Sequence, residues 1–203
     1  MLEYTLEKAL LDKGIINVCG VDEAGRGPLC GPVVAAAVIL PYGTEIEGLN
    51  DSKKLTEKKR DALFDQICDV AVAYSIAYGT VEEINETDIL SATMNAMRRA
   101  VDSLSVPAEH ALIDGNIARG FSIPVTTVIH GDAISPSIAA ASILAKVTRD
   151  RLCVELDAEY PQYGIAKHKG YGTKVHMNAL REYGPSPIHR TKFIRFLDKE
   201  DNS

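Results

Sequence analysis

Two adjacent acids, Asp22 and Glu23, stand between an apolar run at residues 18–21 and the glycine-rich phrase Ala24-Gly25-Arg26-Gly27-Pro28. No other feature restricts the fold as tightly. Neighbouring carboxylates repel, and an apolar lead-in sets them at the end of a strand, where burial raises the cost of charge. Such a pair needs protons, partners or a metal. The glycines allow backbone to come close to a ligand, and Arg26, held between two of them, can reach a phosphate. The phrase therefore reads as a metal site beside a phosphodiester.

The 203 residues suit one domain with a small helical appendage, about residues 160–203, and 46% apolar content is enough for a sizeable core. Tryptophan is absent and aromatics are few, so aliphatic and alanine packing must dominate. The net charge of -6 argues against a nonspecific nucleic-acid coat protein, yet carboxylates of a metal site contribute to it. Positive charge gathers locally, at residues 53–60, 167–174 and 189–195. The four cysteines form no CxxC pair, which suits reduced thiols and a cytoplasmic location. The first 13 residues mix Glu, Lys and Leu at helical spacing and do not read as a secretory signal. The apolar run at 33–40 is too short to span a bilayer.

Short apolar runs predict strands at 17–23, 32–40, 70–78, 110–114 and 124–129, the first two joined as a hairpin through residues 25–31. Leu90, Met94, Met97, Val101 and Leu104 form one helical stripe. A second helix starts at Thr56. The longest has Ser135 as N-cap and Pro136 as first residue and runs to about Tyr160, before Pro161. Another fits 173–183, closed by Gly184 and Pro185. The order of elements predicts an α/β fold with a mixed sheet.

Besides Asp22 and Glu23, two further acids end apolar runs: Asp114 after residues 111–113, and Asp132 after 125–131. Any one of these could begin a turn or cap a helix. Three such places point to a hard-metal cluster, because ligands gather at strand ends in open α/β sheets. Magnesium takes oxygen ligands and keeps waters. Two such ions, about 3.5–4 Å apart, can activate an attacking water and stabilise the leaving oxygen of a phosphodiester. The five histidines lack zinc spacing, and residues 25–31 hold no Gly-Lys-Ser/Thr of a phosphate loop.

Six phrases now stand in order: residues 20–28, Asn50-Asp51-Ser52-Lys53-Lys54-Leu55, Ile113-Asp114-Gly115-Asn116, Gly131-Asp132, residues 139–150, and His168-Lys169-Gly170-Tyr171-Gly172-Thr173. In these the chain resembles the bacterial ribonuclease HII family (type 2 ribonucleases H), over about residues 17–195. The resemblance implies a ribonuclease H-like mixed sheet flanked by helices with a small C-terminal helical region. It implies a metal-dependent endoribonuclease, using Mg2+ or Mn2+, that hydrolyses RNA paired to DNA and incises 5′ of ribonucleotides embedded in duplex DNA. The family's four acids fall on Asp22, Glu23, Asp114 and Asp132, its glycine-arginine-glycine loop on Gly25, Arg26 and Gly27, and its junction-sensing tyrosine on Tyr171. The related type HIII enzymes carry an added N-terminal domain and usually end the acid set in glutamate, unlike Asp132. One phrase departs: the family's His-Arg-x-Ser/Thr-Phe reads His189-Arg190-Thr191-Lys192-Phe193 here.

Gly25 to Gly27 fit either a tight turn or backbone contact with a ribose 2′-hydroxyl, and the adjacent acids favour the contact. Lys169 and Tyr171 lie in a basic loop that pattern alone leaves balanced between solvated surface and phosphate and sugar contacts; the resemblance favours the latter. Ser142, Lys146 and Arg149 recur on one helical face, suited to supporting the metal site, to touching phosphates or to plain solvation. Lys53, before a helix, is a further candidate for substrate contact, although a charge run there also reads as plain solvated surface. The partners expected are RNA/DNA hybrids and ribonucleotide-containing duplex DNA, with no membrane, and a monomer is expected. The competing readings are a noncatalytic hybrid-binding module, against which all four acids speak, and a phosphatase, whose Asp-x-Asp phrase is missing.

Overall fold

A computed structural model describes residues 2–50, 52 and 55–197. Lys53 lies outside them. Five strands form one sheet in the order β3-β2-β1-β4-β5. They are β1 (Val18–Ala24), β2 (Val33–Ile39), β3 (Ala73–Gly79), β4 (His110–Asp114) and β5 (Val125–Val128). The first three pair antiparallel, while β1–β4 and β4–β5 are parallel, so the sheet is mixed and β1 is central. The helices are α1 (Thr5–Leu11), α2 (Glu57–Val70), α3 (Val81–Glu86), α4 (Ile89–Asp102), α5 (Pro136–Glu159), α6 (Ile165–His168) and α7 (Lys174–Tyr183).

Period-two alternation along β1 and β2 divides the core. Cys19, Val21, Ala35 and Ala37 face α4 and meet Met94, Met97 and Val101, the stripe visible in the sequence. Ala36 and Val38 face α5, with Leu63 and Ile67 of α2 packed beyond. Alanines fill both layers, as a chain without tryptophan requires. The first ten residues of α5 are buried all round, because this helix lies between the sheet and α2. Its start follows the sequence reading: the Ser135 hydroxyl accepts from the Ile138 amide at 3.2 Å, and Pro136 opens the first turn. Glu7 of α1 adds a cap, accepting from the Ser135 hydroxyl at 2.5 Å and the Ser137 amide at 3.3 Å.

Two expectations need correction. Residue 70 ends α2 and does not begin β3: the Ala71 amide still donates to Ile67, and strand pairing starts at Ala73. The apolar Val70 belongs to the helix's inner face. Helix α3 was not foreseen; its signal is a capping box in which Thr80 accepts from the Glu83 amide and Glu83 from the Thr80 amide. The C-terminal helical region is present and has its own small core of Cys30, Cys153, Tyr163, Ile165, Leu180 and Ile194. All four cysteines are free thiols. No helix among the described residues is long and apolar enough to cross a membrane.

The central strand and α5 touch through backbone. A Cβ on Gly20 would stand 2.1 Å from the Ser137 carbonyl carbon. Gly20→Ala is therefore expected to destabilise the protein by about 2–3 kcal/mol, read as a lower urea midpoint at unchanged slope. An unchanged midpoint would mean that the helix is free to step back.

Candidate active site

Strands β1 and β4 run parallel with Val21 opposite Ile113, so Asp22 and Asp114 emerge as the next residues of neighbouring strands. Asp22 is almost wholly buried, and its carboxyl is pushed well above the usual carboxylate range by burial and then by the charges of Glu23 and Asp114. Hydrogen bonds from the Ser142 hydroxyl and the Glu23 amide, the latter 2.7 Å long, oppose that rise. Glu23 also meets Arg26 at 3.4 Å. Asp114 Oδ1 accepts from the Gly131 amide at 2.7 Å. Asp132 follows in a buried 3-10 turn, Gly131–Ala133, beside the ends of β4 and β5.

These strand ends open into a cleft of ≈ 440 Å³ lined by Asp22, Glu23 and Asp114, by the backbone phrase at 24–27, and by Ser142, Lys146, Arg149 and Tyr171. Ten of the thirteen residues singled out in the sequence thus share one cavity, Arg149 among them. Asp132, buried in the turn next to the Gly131 amide that Asp114 accepts from, is not among the lining residues, and neither is Lys169. The latter instead holds a left-handed φ of +52°, with its carbonyl accepting from Arg149 Nη1 at 2.9 Å.

Ser52 and Arg60 complete the lining and were missed. Ser52 Oγ lies 2.9 Å from Ser142 Oγ, so two buried hydroxyls back the Asp22 carboxyl in series. Asp150, on the same helix, fixes two cations at the rim, Lys146 at 2.6 Å and Arg60 at 3.5 Å. The signal for Ser52 was its phrase at 50–55, read only for the lysines. Arg60 ended a positive stretch at 53–60 and Asp150 the phrase at 139–150, but only the folded chain brings them together.

Gly25 and Arg149 need each other's shape. Gly25 has φ +97°, and a Cβ there would stand 1.9 Å from Arg149 Nε. That nitrogen is buried without a hydrogen-bond partner in the protein, while Nη2 donates to the Cys30 carbonyl at 3.2 Å. Across the loop, Tyr171 Cε1 lies 3.4 Å from where a Gly27 Cβ would be, and Tyr171 itself is half exposed.

The acids suit a hard cation. Their donors are all oxygen, and the raised proton affinity of Asp22 is the mark of crowded negative charge that a divalent ion would relieve. Asp22, Glu23 and Asp114 line the cleft, which leaves room for water and phosphate oxygens. Among the described residues, the one set of three His, Cys, Asp or Glu ligand atoms within 4.8 Å of one another is Cys30, His176 and His189, on the C-terminal side.

Comparison with known proteins decides the family. The sequence profile of ribonuclease HII matches residues 19–196. The chain belongs to the ribonuclease HII family. A ribonuclease HII from Burkholderia mallei (strain SAVP1) is 58% identical over 176 residues, 87% of this chain and 82% of that protein. The crystal structure of the ribonuclease H2 from Pyrococcus horikoshii OT3 superposes with a TM-score of 0.75 at 28% identity, covering 92% of this chain and 99% of that one. A Bst-RNase HIII structure shares the fold, with a TM-score of 0.66 at 18% identity over 90% of this chain and 65% of that one. The chain is thus a metal-dependent endoribonuclease with ribonuclease H activity on RNA/DNA hybrids, which removes the noncatalytic and phosphatase alternatives.

Gly25→Ala is expected to lower hybrid cleavage at least a hundredfold while circular dichroism stays unchanged. A side chain there displaces Arg149 and strains a left-handed backbone. Cleavage within threefold of wild type would show that Arg149 moves aside freely.

Proposed function

We propose that this ribonuclease HII also incises 5′ of single ribonucleotides embedded in duplex DNA, by two-metal-ion hydrolysis that leaves 3′-hydroxyl and 5′-phosphate ends. One observation carries the reading: the glycine-arginine-glycine backbone and the ring of Tyr171 are neighbours on the rim of the acid-lined cleft. A reader of the 2′-hydroxyl and a reader of the next sugar therefore stand beside the chemistry and beside each other.

In this reading Asp22, Glu23, Asp114 and Asp132 hold Mg2+ or Mn2+. Bound there, divalent cations activate the attacking water and neutralise charge on the leaving oxygen. Ser142, backed by Ser52, keeps the Asp22 carboxyl oriented and favours its ionised form. The loop at 25–27 offers backbone donors and acceptors to the 2′-hydroxyl, the group that tells RNA from DNA. Tyr171 packs on the following sugar, best where it lacks that hydroxyl. Arg26, Lys146 and Lys169 contact phosphates, and Lys53, outside the described residues, is a further contact expected from the sequence; the C-terminal region that carries Lys169 and Tyr171 acts as a substrate-binding extension of the one catalytic domain. The 2′-hydroxyl is read and is not the nucleophile, hence the end groups. The chain acts as a cytoplasmic monomer on hybrids and on ribonucleotide-containing duplex DNA.

A labelled duplex with one ribonucleotide tests this. The expected product is a single nick 5′ of that residue, abolished by chelation and restored by Mg2+ or Mn2+. Absence of a nick on a substrate whose uniform-hybrid counterpart is cut would sink the proposal. Asp114→Asn should slow cleavage roughly 10³-fold while weakening substrate binding far less, because the lost charge acts on the transition state; near wild-type rates would remove Asp114 from the site. Tyr171→Ala should lose most activity on the single ribonucleotide and less on uniform RNA paired to DNA. Equal losses on both would leave Tyr171 a general contact, and no loss on either would remove it from the mechanism.

A further inference from the structure

Three separate segments are laced together behind the cleft: the loop at 25–31, the loop at 168–173 and residues 188–190. The Leu29 amide donates to the Gly170 carbonyl at 2.8 Å, the Arg190 amide to the Leu29 carbonyl at 2.8 Å, and the Gly31 amide to the Ile188 carbonyl at 2.8 Å. Two side chains of the third segment then reach one substrate reader each.

Arg190 is wholly buried, and its guanidinium spends its donors on four carbonyls of the first loop: Gly25 at 2.7 Å, Arg26 at 2.9 Å, Pro28 at 2.8 Å and Gly31 at 2.8 Å. A planar fork with five fixed donors can hold a loop in this way; a lysine ammonium cannot.

His189 reaches the other reader through His176. The Ser186 amide donates to His189 Nδ1 at 3.1 Å, so that nitrogen carries no proton and Nε2 does. Nε2 lies 3.1 Å from His176 Nε2, which must accept. His176 Nδ1 therefore holds the proton and donates it to the Tyr171 carbonyl at 3.1 Å. One proton order satisfies every contact. Burial lowers the proton affinity of both rings, His189 to about 4, so both are neutral at neutral pH and the order holds. Edge contacts with Tyr163 and a stacked His168 fix the ring planes. Cys30 closes a ligand triangle with these rings, but the guanidiniums of Arg149 and Arg190 bond the carbonyls of Cys30 and Gly31, and a cation between them would meet strong repulsion.

We propose that His189 and Arg190 are positioning residues that mount the Gly25–Gly27 backbone and Tyr171 in one frame, Arg190 by clamping the loop carbonyls and His189 by relaying through His176 to the Tyr171 carbonyl. The proposal rests on the reading of those two elements as substrate readers. It assigns different effects to adjacent residues. The loop serves every ribose-containing substrate, whereas Tyr171 serves the junction.

The test measures single-ribonucleotide and uniform-hybrid cleavage for His189→Phe, His189→Gln, Arg190→Lys, Tyr171→Ala and the His189→Phe/Tyr171→Ala double variant, each first shown folded by thermal unfolding. His189→Phe should lose about tenfold on the single ribonucleotide and no more than threefold on the hybrid. His189→Gln, whose side-chain amide can donate where the imidazole Nε2 does, should recover most of that loss. The double variant should be no worse than Tyr171→Ala alone, since His189 acts through the tyrosine. Arg190→Lys should lose tenfold or more on both substrates. Multiplicative losses in the double variant, equal losses on both substrates for His189→Phe, or an Arg190→Lys enzyme as active as wild type would overturn the mount. Should a variant not fold, nitrogen-15 chemical shifts of the wild-type histidines still decide: His189 protonated at Nε2 and His176 at Nδ1 are expected, and the opposite tautomers overturn the relay. Failure of the underlying reading shows differently, as Tyr171→Ala leaving single-ribonucleotide cleavage intact while the tautomers stand.

Discussion

At Gly20 the central strand lies with its backbone against the first turn of α5, and the position of every group in the cleft follows from that contact. The helix begins one residue before the contact, at Pro136, and reaches Ser142 a turn and a half further on. The strand reaches Asp22 two residues further on. The short separation lets the Ser142 hydroxyl meet the Asp22 carboxyl with no water between. Small residues on both sides, Ala36 of β2 and the alanines at 139–141, hold that spacing along the rest of the interface. A bulkier residue in either layer would separate helix from strand and leave a buried carboxylate and two hydroxyls without partners, which costs about 1–3 kcal/mol per group.

The charges in and behind the cleft are arranged by the same logic. Asp22 is crowded by Glu23 and Asp114 and so is built to be neutralised by something that arrives. Arg149 and Arg190 lie behind the loop, and burial lowers the proton affinity of Arg190 to about 9, with the Arg149 charge next in weight. Arg190 nonetheless stays charged at neutral pH. Carbonyl oxygens take up its donors in place of carboxylates, so no anion is spent on it that the metal site could use. A net charge of -6 thus coexists with a cationic lining of Arg26, Arg60, Lys146 and Arg149 around the acids. The sum over the chain says little about what a polyanionic substrate meets at the site.

What could be read from the sequence divides by contact range. Strands β1, β2, β4 and β5, the α4 stripe and both ends of α5 were legible because alternation, a 3.6 period and the Ser135-Pro136 cap are local signals. The start of β3 was not, since Val70 is apolar whether it ends a helix or opens a strand. The carboxylates were legible because each ends an apolar run beside a glycine. Ser52 and Arg60 were not, because their roles depend on α2 folding against α5, which brings residues 90 apart in sequence into contact. Arg190 was hidden for a different reason. A charged residue in a basic stretch reads as surface, and only the four converging carbonyls make its burial tolerable.

The acids and the loop that carries Gly25 to Gly27 therefore rest on different parts of the chain. The acids stand on the central sheet, whose order is secured by two hydrophobic layers. The loop and Tyr171 stand on a hydrogen-bonded mount with a separate small core. The departure from the family phrase at Lys192 falls on the tether of that mount. Lys192 donates to the Thr87 carbonyl at the end of α3, and beside it Thr191 bonds Asn85 through both amide and hydroxyl. A side chain long enough to cross to α3 replaces a short hydroxyl, and the residues it joins are remote in sequence from all four acids. Variation at this position can therefore shift how firmly the loop at 25–31 and Tyr171 are held while leaving the carboxylates as they are.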